Sequence, residues 1–541
     1  MKTENGSFKR LLNLIKPYWF WITAITVLLV AASLITVYTA FLSKRVLDIA
    51  CKDVAGSFTA AVFALLLFVL LRVLLSCAGS YIKSVTEAKM NTGIRQKLFN
   101  ALLAKKYTAV SAYHSGELLN RFGVDVAAVS SGAVSLIPGT VSLFAKLIAG
   151  TVALFTVDPF IAAAIVILGF FVPAFGRIFK AKFKNIHKLF RSSEGEVKAF
   201  FQESVQNLTV VKTFKDLAAV KNRLENKLNN SKLLFLRRAK IGVATSAGLG
   251  IFFAMCYYAV LVWGAFKIGE GSITFGTLIA LLELVEQIRN PLQSLSGILP
   301  EYYSVSASAE RIFELEDLPN ENLTAADLPV FESLSANELC FAYKTENVIN
   351  NARFTVNAGQ IAAVSGLSGA GKTTLFKIIL GLLEPQKGNV LINDSFPADS
   401  STRKYFAYVP QGSLILSGTI KENLLLGNPA ATDAEITEAL KVAEIFNTVN
   451  ELPHGINTPL SERGAGLSEG QLQRLAIARA VLSGAPVLLL DESTSALDEP
   501  TESLVLNNIK AQNKTVLFIT HRKRNLSLCD LVITVESGEI N

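Results

Sequence analysis

GLSGAGKTT, residues Gly366 to Thr374, is the stretch whose reading decides the fold. A short apolar run, Ile361 to Ser365, precedes it, and an apolar-periodic segment, Leu375 to Leu383, follows. The stretch therefore sits where a strand gives way to a helix. Glycines at 366, 369 and 371 allow backbone angles closed to other residues and let consecutive N–H groups curl around phosphate oxygens, with the positive end of a helix dipole behind them. In this pattern Lys372 reaches the β and γ phosphates and the hydroxyl of Thr373 ligates Mg²⁺. Leu367, Ser368, Ala370 and Thr374 complete the expected phosphate-binding set. What that phosphate site serves has to come from the rest of the chain.

A chain of 541 residues with 51% hydrophobic and only 18% charged residues, and a mean hydropathy of +0.40, is too apolar for an ordinary soluble protein. The apolar runs lie before about residue 300 and the phosphate loop after it, which places a boundary in the Pro- and acid-containing stretch Glu314 to Val330. The expected division is 1–313, a linker 314–330, and 331–541. The net charge of +8 does not point to nucleic acid, because the basic excess lies between apolar spans, where the positive-inside rule puts it. Cys51, Cys77, Cys256, Cys340 and Cys529 are too scattered for a zinc site or a disulfide framework. No A-x-A cleavage signal follows the basic N-terminus, so the first apolar run is expected to be retained as a span.

Crossing a bilayer takes about 20 largely apolar residues. Six stretches qualify: Tyr18 to Leu42, Phe58 to Ser80, Val134 to Phe155, Pro159 to Phe179, Val243 to Ile268 and Phe275 to Leu299. Short connections alternate with two long ones of about 50 to 60 residues, which keep helical periodicity and carry many Lys and Arg. Lys2, Lys9, Arg10 and Lys16 hold the N-terminus inside, so both long loops and the C-terminal half are expected in the cytoplasm. Arg72, Lys146, Glu283, Glu286 and Arg289 lie within spans. Glu283 and Glu286, three apart, share a helix face and are candidate contacts for a cationic or peptide-like cargo; the alternative is pairing among themselves, for example Glu286 with Arg289.

From Leu339 the pattern changes to short β-branched runs, turns and amphipathic helices, as in an α/β domain built around a phosphate loop. Pro486 to Leu490 reads as a buried parallel strand that delivers Asp491 and Glu492 at its C-terminal edge. Asp491 is placed to hold the Mg²⁺ shell, and Glu492 to orient or deprotonate a water.

These residues resemble the ATP-binding cassette (ABC) proteins, and six spans followed by such a cassette resemble the exporter-type half-transporters. The most specific element is LSEGQLQRLAIARA, Leu467 to Ala480, which is similar to the family's signature loop. The resemblance implies an adenine-stacking role for Tyr343, a Q-loop role for Gln411 in contact with Mg²⁺ and the attacking water, a D-loop at Ser495 to Asp498, and a γ-phosphate switch at His521. It further implies that Ser468, Gly470 and Gln471 touch a nucleotide held by a second half-transporter, as a homodimer or a heterodimer. The loops around His114 to Phe122 and Gln202 to Phe214 resemble coupling elements. Glu469 stands where the family most often has glycine, which puts an acid near the partner's phosphates unless the side chain turns away. The chain reaches Asn541 directly after VESGEI, where relatives usually continue with further helices, and no peptidase-like domain precedes the first span.

The expected fold class is a membrane all-α domain of six spans plus an α/β phosphate-loop ATPase domain, with ATP and Mg²⁺ as cofactors. Expected partners are a second half-transporter and membrane lipid, not nucleic acid. The expected function is ATP-driven export of a peptide, lipid or amphiphilic drug across the cytoplasmic membrane, with Glu492, His521 and Gln411 in the hydrolytic step. The alternatives are a membrane-anchored ATPase that gates or regulates a partner without moving cargo, and one half of a heterodimeric exporter.

Overall fold

The computed structural model describes residues 2–213, 217–321, 329–343, 346–412, 415–461, 466–520, 522–536 and 538–540. By its contacts the chain divides into two compact units, Met1–Phe99 with Gly116–Leu315, and Asn100–Ser115 with Glu316–Asn541. Residues 322–328 of the expected linker, Phe214 at the end of the second expected coupling segment, and His521, expected as a γ-phosphate switch, lie outside the described residues.

The first unit is helical. After α1 (Lys2–Ile15) come α2 (Trp19–Ala50) and α3 (Phe58–Leu103). The first long connection carries α4 (Tyr107–Ser111), α5 (Ser115–Asn120) and a π turn, Arg121–Asp125, that leads into α6 (Val126–Val157). Then follow α7 (Pro159–Gln206), α8 (Leu208–Thr213), α9 (Ala218–Gly269) and α10 (Phe275–Glu316). Six long helices thus occupy the six positions expected for spans. At 46 and 52 residues, α3 and α9 run about 69 and 78 Å at 1.5 Å per residue, well over twice the roughly 30 Å of a bilayer core. Among the described residues, four helices are long and apolar enough to cross a membrane by length and composition: Lys9–Ala50, Phe58–Leu103, Ser115–Val157 and Ala218–Gly269. Their outward faces are apolar. Phe63, Leu66, Leu70 and Leu74 on α3, and Ile251, Met255, Tyr258, Val262 and Phe266 on α9, recur at helical spacing and are exposed, an arrangement water would penalise and lipid accepts.

Inside this unit α6 and α10 approach closely at Gly132, where a Cβ would lie 2.2 Å from Cγ2 of Val305. At the start of α6 the buried Asp125 accepts two bonds from Arg311, Nε at 2.9 Å and Nη2 at 2.5 Å. The equally buried Arg121 donates to Arg311 O at 2.6 Å and to Glu117 at 2.7 Å, and pairs with Glu314 at 3.0 Å. Charges taken out of water need such partners on several sides.

The second unit holds a ten-stranded sheet in the order β5-β4-β1-β2-β12-β11-β3-β10-β9-β6. Its strands are β1 (Ser333–Tyr343), β2 (Glu346–Asn357), β3 (Ile361–Gly366), β4 (Lys387–Ile392), β5 (Phe396–Pro397), β6 (Phe406–Val409), β9 (Val487–Asp491), β10 (Thr515–Ile519), β11 (Leu531–Glu536) and β12 (Glu539–Ile540). A separate two-stranded ribbon pairs β7 (Gly418–Thr419) with β8 (Pro459–Leu460). The helices are α11 (Lys372–Ile379), α12 (Ile420–Leu425), α13 (Asp433–Val442), α14 (Phe446–Asn450), α15 (Glu469–Leu482) and α16 (Glu499–Ala511). Strands β11, β3, β10, β9 and β6 are mutually parallel. Both faces of β9 are covered, Leu488 and Leu490 by the core that contains α13, α15 and α16, and Leu489 by the core that contains α11. That is why the stretch reads as one continuous apolar run.

The segment Asn100–Ser115 belongs to this unit. Ala104 O accepts from Glu321 N at 2.8 Å and Pro319 O from Lys106 N at 2.9 Å, while the buried Lys105 donates to the carbonyls of Glu316 and Leu318 at 2.5 and 2.7 Å. The sequence reading centred this loop on His114 to Phe122; in the structure the part grouped with the sheet ends at Ser115. The expected linker also opens inside helix α10, which runs through Glu316. For the helical unit, Asp125→Ala is expected to lower stability by about 1–3 kcal/mol, the usual loss for a charged hydrogen-bonded pair. A thermal melt in detergent reads this, and an unchanged midpoint would count against the network as a fastening.

Candidate functional site

Three neighbouring strands deliver the site. Ile519 on β10 is in register with Val364 on β3 and with Asp491 on β9, so the ends of β3 and β9 lie level, about 10 Å apart, on either side of β10. The phosphate loop leaves β3 at Gly366, where a Cβ would stand 2.2 Å from Val535 O; only glycine fits so close to the neighbouring strand. The loop then closes through an Ala370 N to Leu367 O bond of 3.2 Å. Gly369 and Gly371, at φ +83° and +105°, turn it into α11 through left-handed backbone that costs other residues about 1–2 kcal/mol each.

Lys372 arches back over this loop, its ammonium donating to Gly366 O at 2.9 Å and Leu367 O at 2.8 Å. Burial pulls its pKa down, and the nearby Glu492 and Asp491 pull it back up. Thr373 reaches across to β9 and donates to Asp491 Oδ1 at 3.0 Å. The other carboxylate oxygen of Asp491 accepts from Tyr408 at 2.9 Å. Asp491 is 1% exposed, and burial raises its pKa, reinforced by the adjacent Glu492 and opposed by the bonds from Tyr408 and Thr373. A hydroxyl and two neighbouring acids beside phosphate-binding N–H groups are a hard-oxygen donor set that a divalent cation fits.

Gln411 follows β6, which pairs with β9 as far as Val409 and Leu490. Its side-chain amide donates to Glu492 Oε2 at 2.8 Å, and Glu492 itself stands in the left-handed region at φ +48°. Outlier backbone of this kind clusters at sites where geometry matters more than stability. Tyr343, half exposed, packs edge-on against Phe341 at 4.9 Å with its hydroxyl 3.5 Å from Thr374. Leu367 and Ser368 are exposed.

Ser468, Gly470 and Gln471 are placed differently. Ser468 caps α15: its hydroxyl accepts from Gln471 N, and its own N–H donates to Gln471 Oε1 at 2.8 Å. Gly470 lies against Ala496 O, where a Cβ would come within 2.9 Å, and the buried Gln473 accepts from Ala496 N. Among the described residues no hydrogen bond joins this loop to the phosphate loop. Glu469 is exposed in the first turn of α15, a position where the helix dipole favours an acid.

Two participants escaped the sequence reading. Tyr408 sits just before the VPQ that ends in Gln411, and Arg522 just after His521. Arg522 donates to Ser495 O at 3.0 Å, to Leu497 O at 2.9 Å and to the buried Glu502 at 2.6 Å, tying the 495–497 turn to the segment that follows β10. Sequence order hinted at both through their neighbours, but only strand order shows what they touch.

Residues 22–292 match the ABC transporter transmembrane region and residues 349–495 the ABC transporter ATP-binding family. The chain belongs to the ABC transporter family. It is an ATP-hydrolysing, nucleotide-binding membrane transporter. A Staphylococcus aureus ATP-binding/permease protein named for multidrug export is 28% identical, covering 98% of this chain and 95% of its own length. A Rickettsia typhi export ATP-binding/permease protein is also 28% identical, over 96% and 92%. The solved structure of a bacterial Atm1-family ABC exporter with ATP bound shares the fold, with a TM-score of 0.81 at 22% identity over 95% of this chain and 93% of that one.

In the membrane part of this transporter, the two acids expected at a cargo surface separate. Glu286 pairs with Arg289 at 2.5 Å, the pairing considered as the alternative from sequence. Glu283 is bonded to Ser43. At the nucleotide site, Gly371→Ala is expected to weaken ATP binding by at least about 10-fold, since a Cβ there would come 2.8 Å from Val348 in left-handed backbone. Titration with a fluorescent ATP analogue checks this; wild-type affinity would show that the loop tolerates the strain.

Proposed function

We propose that this ABC transporter exports an amphiphilic cargo across the cytoplasmic membrane as a dimer of identical chains, with each ATP held between the phosphate loop of one chain and the signature loop of the other. The observation that carries the reading is the separation of the two halves of the site. One chain has one phosphate loop and one signature loop, and Ser468 and Gln471 bond each other rather than the loop at Gly366 to Thr374. A second chain supplies the missing face. The names of the export relatives support the direction of transport.

In this reading Thr373, Asp491 and Gln411 would hold Mg²⁺, which supplies charge neutralisation of the β and γ phosphates. Lys372 exchanges its contacts with the Gly366 and Leu367 carbonyls for phosphate oxygens. The N–H groups of Ser368 to Thr374 cradle the phosphates and Tyr343 stacks on adenine. Glu492 takes the proton of the attacking water. Gln411 holds the Glu492 carboxylate in the resting arrangement, so a displacement of Gln411 frees the base. His521 contacts the γ-phosphate. The N-terminus, both long loops and the ATPase unit are cytoplasmic. The short helices α4 and α8 in those loops carry the movement between cassettes and spans, and ATP biases the two arrangements through its differential affinity for them.

Glu492→Gln is expected to bind ATP normally and to hydrolyse it about 10²–10⁴-fold more slowly, the range of general-base catalysis. Turnover at the wild-type rate would remove Glu492 from that role. Inside-out vesicles should accumulate a fluorescent amphiphile only with ATP; hydrolysis without accumulation of any of a panel of lipids, cationic peptides and drugs would instead favour a regulator. Glu286 is charge-paired with Arg289, whereas among the described residues Glu283 stands in no salt bridge, so its charge is the one left to meet a cationic cargo. Glu283→Gln should therefore depress stimulation of ATP hydrolysis by cationic peptides several-fold, and Glu286→Gln should change it less. Equal responses in the two variants would oppose a charge-selective role for Glu283.

A further inference from the structure

Asp491 has two oxygens with two different partners. Oδ1 receives Thr373, the hydroxyl expected at the metal, and Oδ2 receives the phenol of Tyr408 at 2.9 Å. The tyrosine belongs to β6, the strand paired with β9, and its ring packs edge-on against Phe376 at 6.4 Å. Both aromatic position and hydroxyl direction are thereby set by the sheet and by α11. A carboxylate with 1% exposure has few other donors to turn to, so this bond decides which oxygen is presented to a cation. Next to Phe376 on α11, the Lys377 ammonium lies 5.9 Å from the ring centroid of Tyr107, within cation–π range. Tyr107 opens α4, in the loop segment that belongs to this unit. Beside it, Lys106 pairs with Glu384 at 2.6 Å.

We propose that Tyr408 is a positioning residue for the metal-holding carboxylate Asp491, and that Tyr107 and Lys377 connect this position to the first cytoplasmic loop. The proposal rests on the reading of Asp491 as a ligand of Mg²⁺. Tyr408 donates to Oδ2 and so directs Oδ1 and its negative charge toward the Thr373 side. Groups behind a metal ligand tune affinity about 10- to 100-fold when removed. Displacement of α4 reaches α11 through the Tyr107 ring and Lys377, next to the Phe376 against which Tyr408 packs, a route separate from Gln411, which contacts Glu492.

The test uses the full-length protein in nanodiscs with four variants, Tyr408→Phe, Tyr107→Leu, Lys377→Met and Asp491→Asn. Mn²⁺ affinity in the presence of ATP is measured by electron paramagnetic resonance, and the affinity for a fluorescent ATP analogue is measured in EDTA. Tyr408→Phe is expected to weaken Mn²⁺ binding about 10-fold with nucleotide affinity in EDTA unchanged. Tyr107→Leu and Lys377→Met should each shift Mn²⁺ affinity about 2- to 3-fold, as expected for a contact acting through another residue. Unchanged Mn²⁺ affinity in Tyr408→Phe, alongside a large loss in Asp491→Asn, overturns the positioning role and leaves the metal reading intact. Unchanged affinity in Asp491→Asn overturns the metal reading itself. Loss of metal-free nucleotide binding in Tyr408→Phe would show a general packing role and also overturn the proposal, and wild-type Mn²⁺ affinity in both Tyr107→Leu and Lys377→Met would remove the link to the loop.

Discussion

The ATPase half of this transporter depends on one buried carboxylate and the strand register that brings its partners to it. Asp491 ends a strand covered on both faces, level with the end of the phosphate-loop strand across β10. An acid with 1% exposure is costly unless several groups satisfy it. Thr373 and Tyr408 do so from opposite sides, one on the helix that follows the loop and the other on the neighbouring strand. The same register sets Gln411 beside Glu492. Misalignment of one strand would leave Asp491 unpaired and separate Gln411 from Glu492.

The signature loop illustrates a second constraint. Its serine and glutamine cap their own helix, and its glycine is packed against the D-loop carbonyl at Ala496. Arg522 then fastens the D-loop to the end of β10. These contacts make the signature helix, the D-loop and the switch strand a connected block. Ser468 is thereby only a few bonded groups away from the end of β10, which lies in register with Asp491.

The helical half is organised by a different solvent. Apolar side chains at helical spacing face outward on α3 and α9, while charges are paired: Asp125 with Arg311 near the π turn, and Glu286 with Arg289 inside the sixth long helix. The connection between α3 and α6 divides at Ser115. Its earlier part adds a short bridge of backbone bonds to the segment after α10 and belongs with the sheet, and its later part belongs with the helices. The bonds of Lys105 and Lys106 to the 316–321 segment and Glu384 make its earlier part a piece of the ATPase unit.

Much of this was legible in the amino-acid order alone. The glycines of the phosphate loop, the apolar runs long enough for a bilayer, the buried strand before Asp491 and the signature motif all express local properties: allowed backbone angles, hydrophobic periodicity and chain length. What the order could not show is which distant side chains meet. Thr373 and Asp491, 118 residues apart, are expected at one Mg²⁺ from their motifs, but the bond of Tyr408 to Asp491 across 83 residues and that of Gln411 to Glu492 across 81 are decided by strand order and register. The same holds for Glu286, whose ion pair with Arg289 was one of several open choices until the helix placed them together, and for the division of the first loop at Ser115. The sequence by itself determined that a phosphate loop and apolar helices share one chain. Tertiary structure decided which oxygen of Asp491 faces Thr373, because only the packing of β6, β9 and α11 holds Tyr408 against the other.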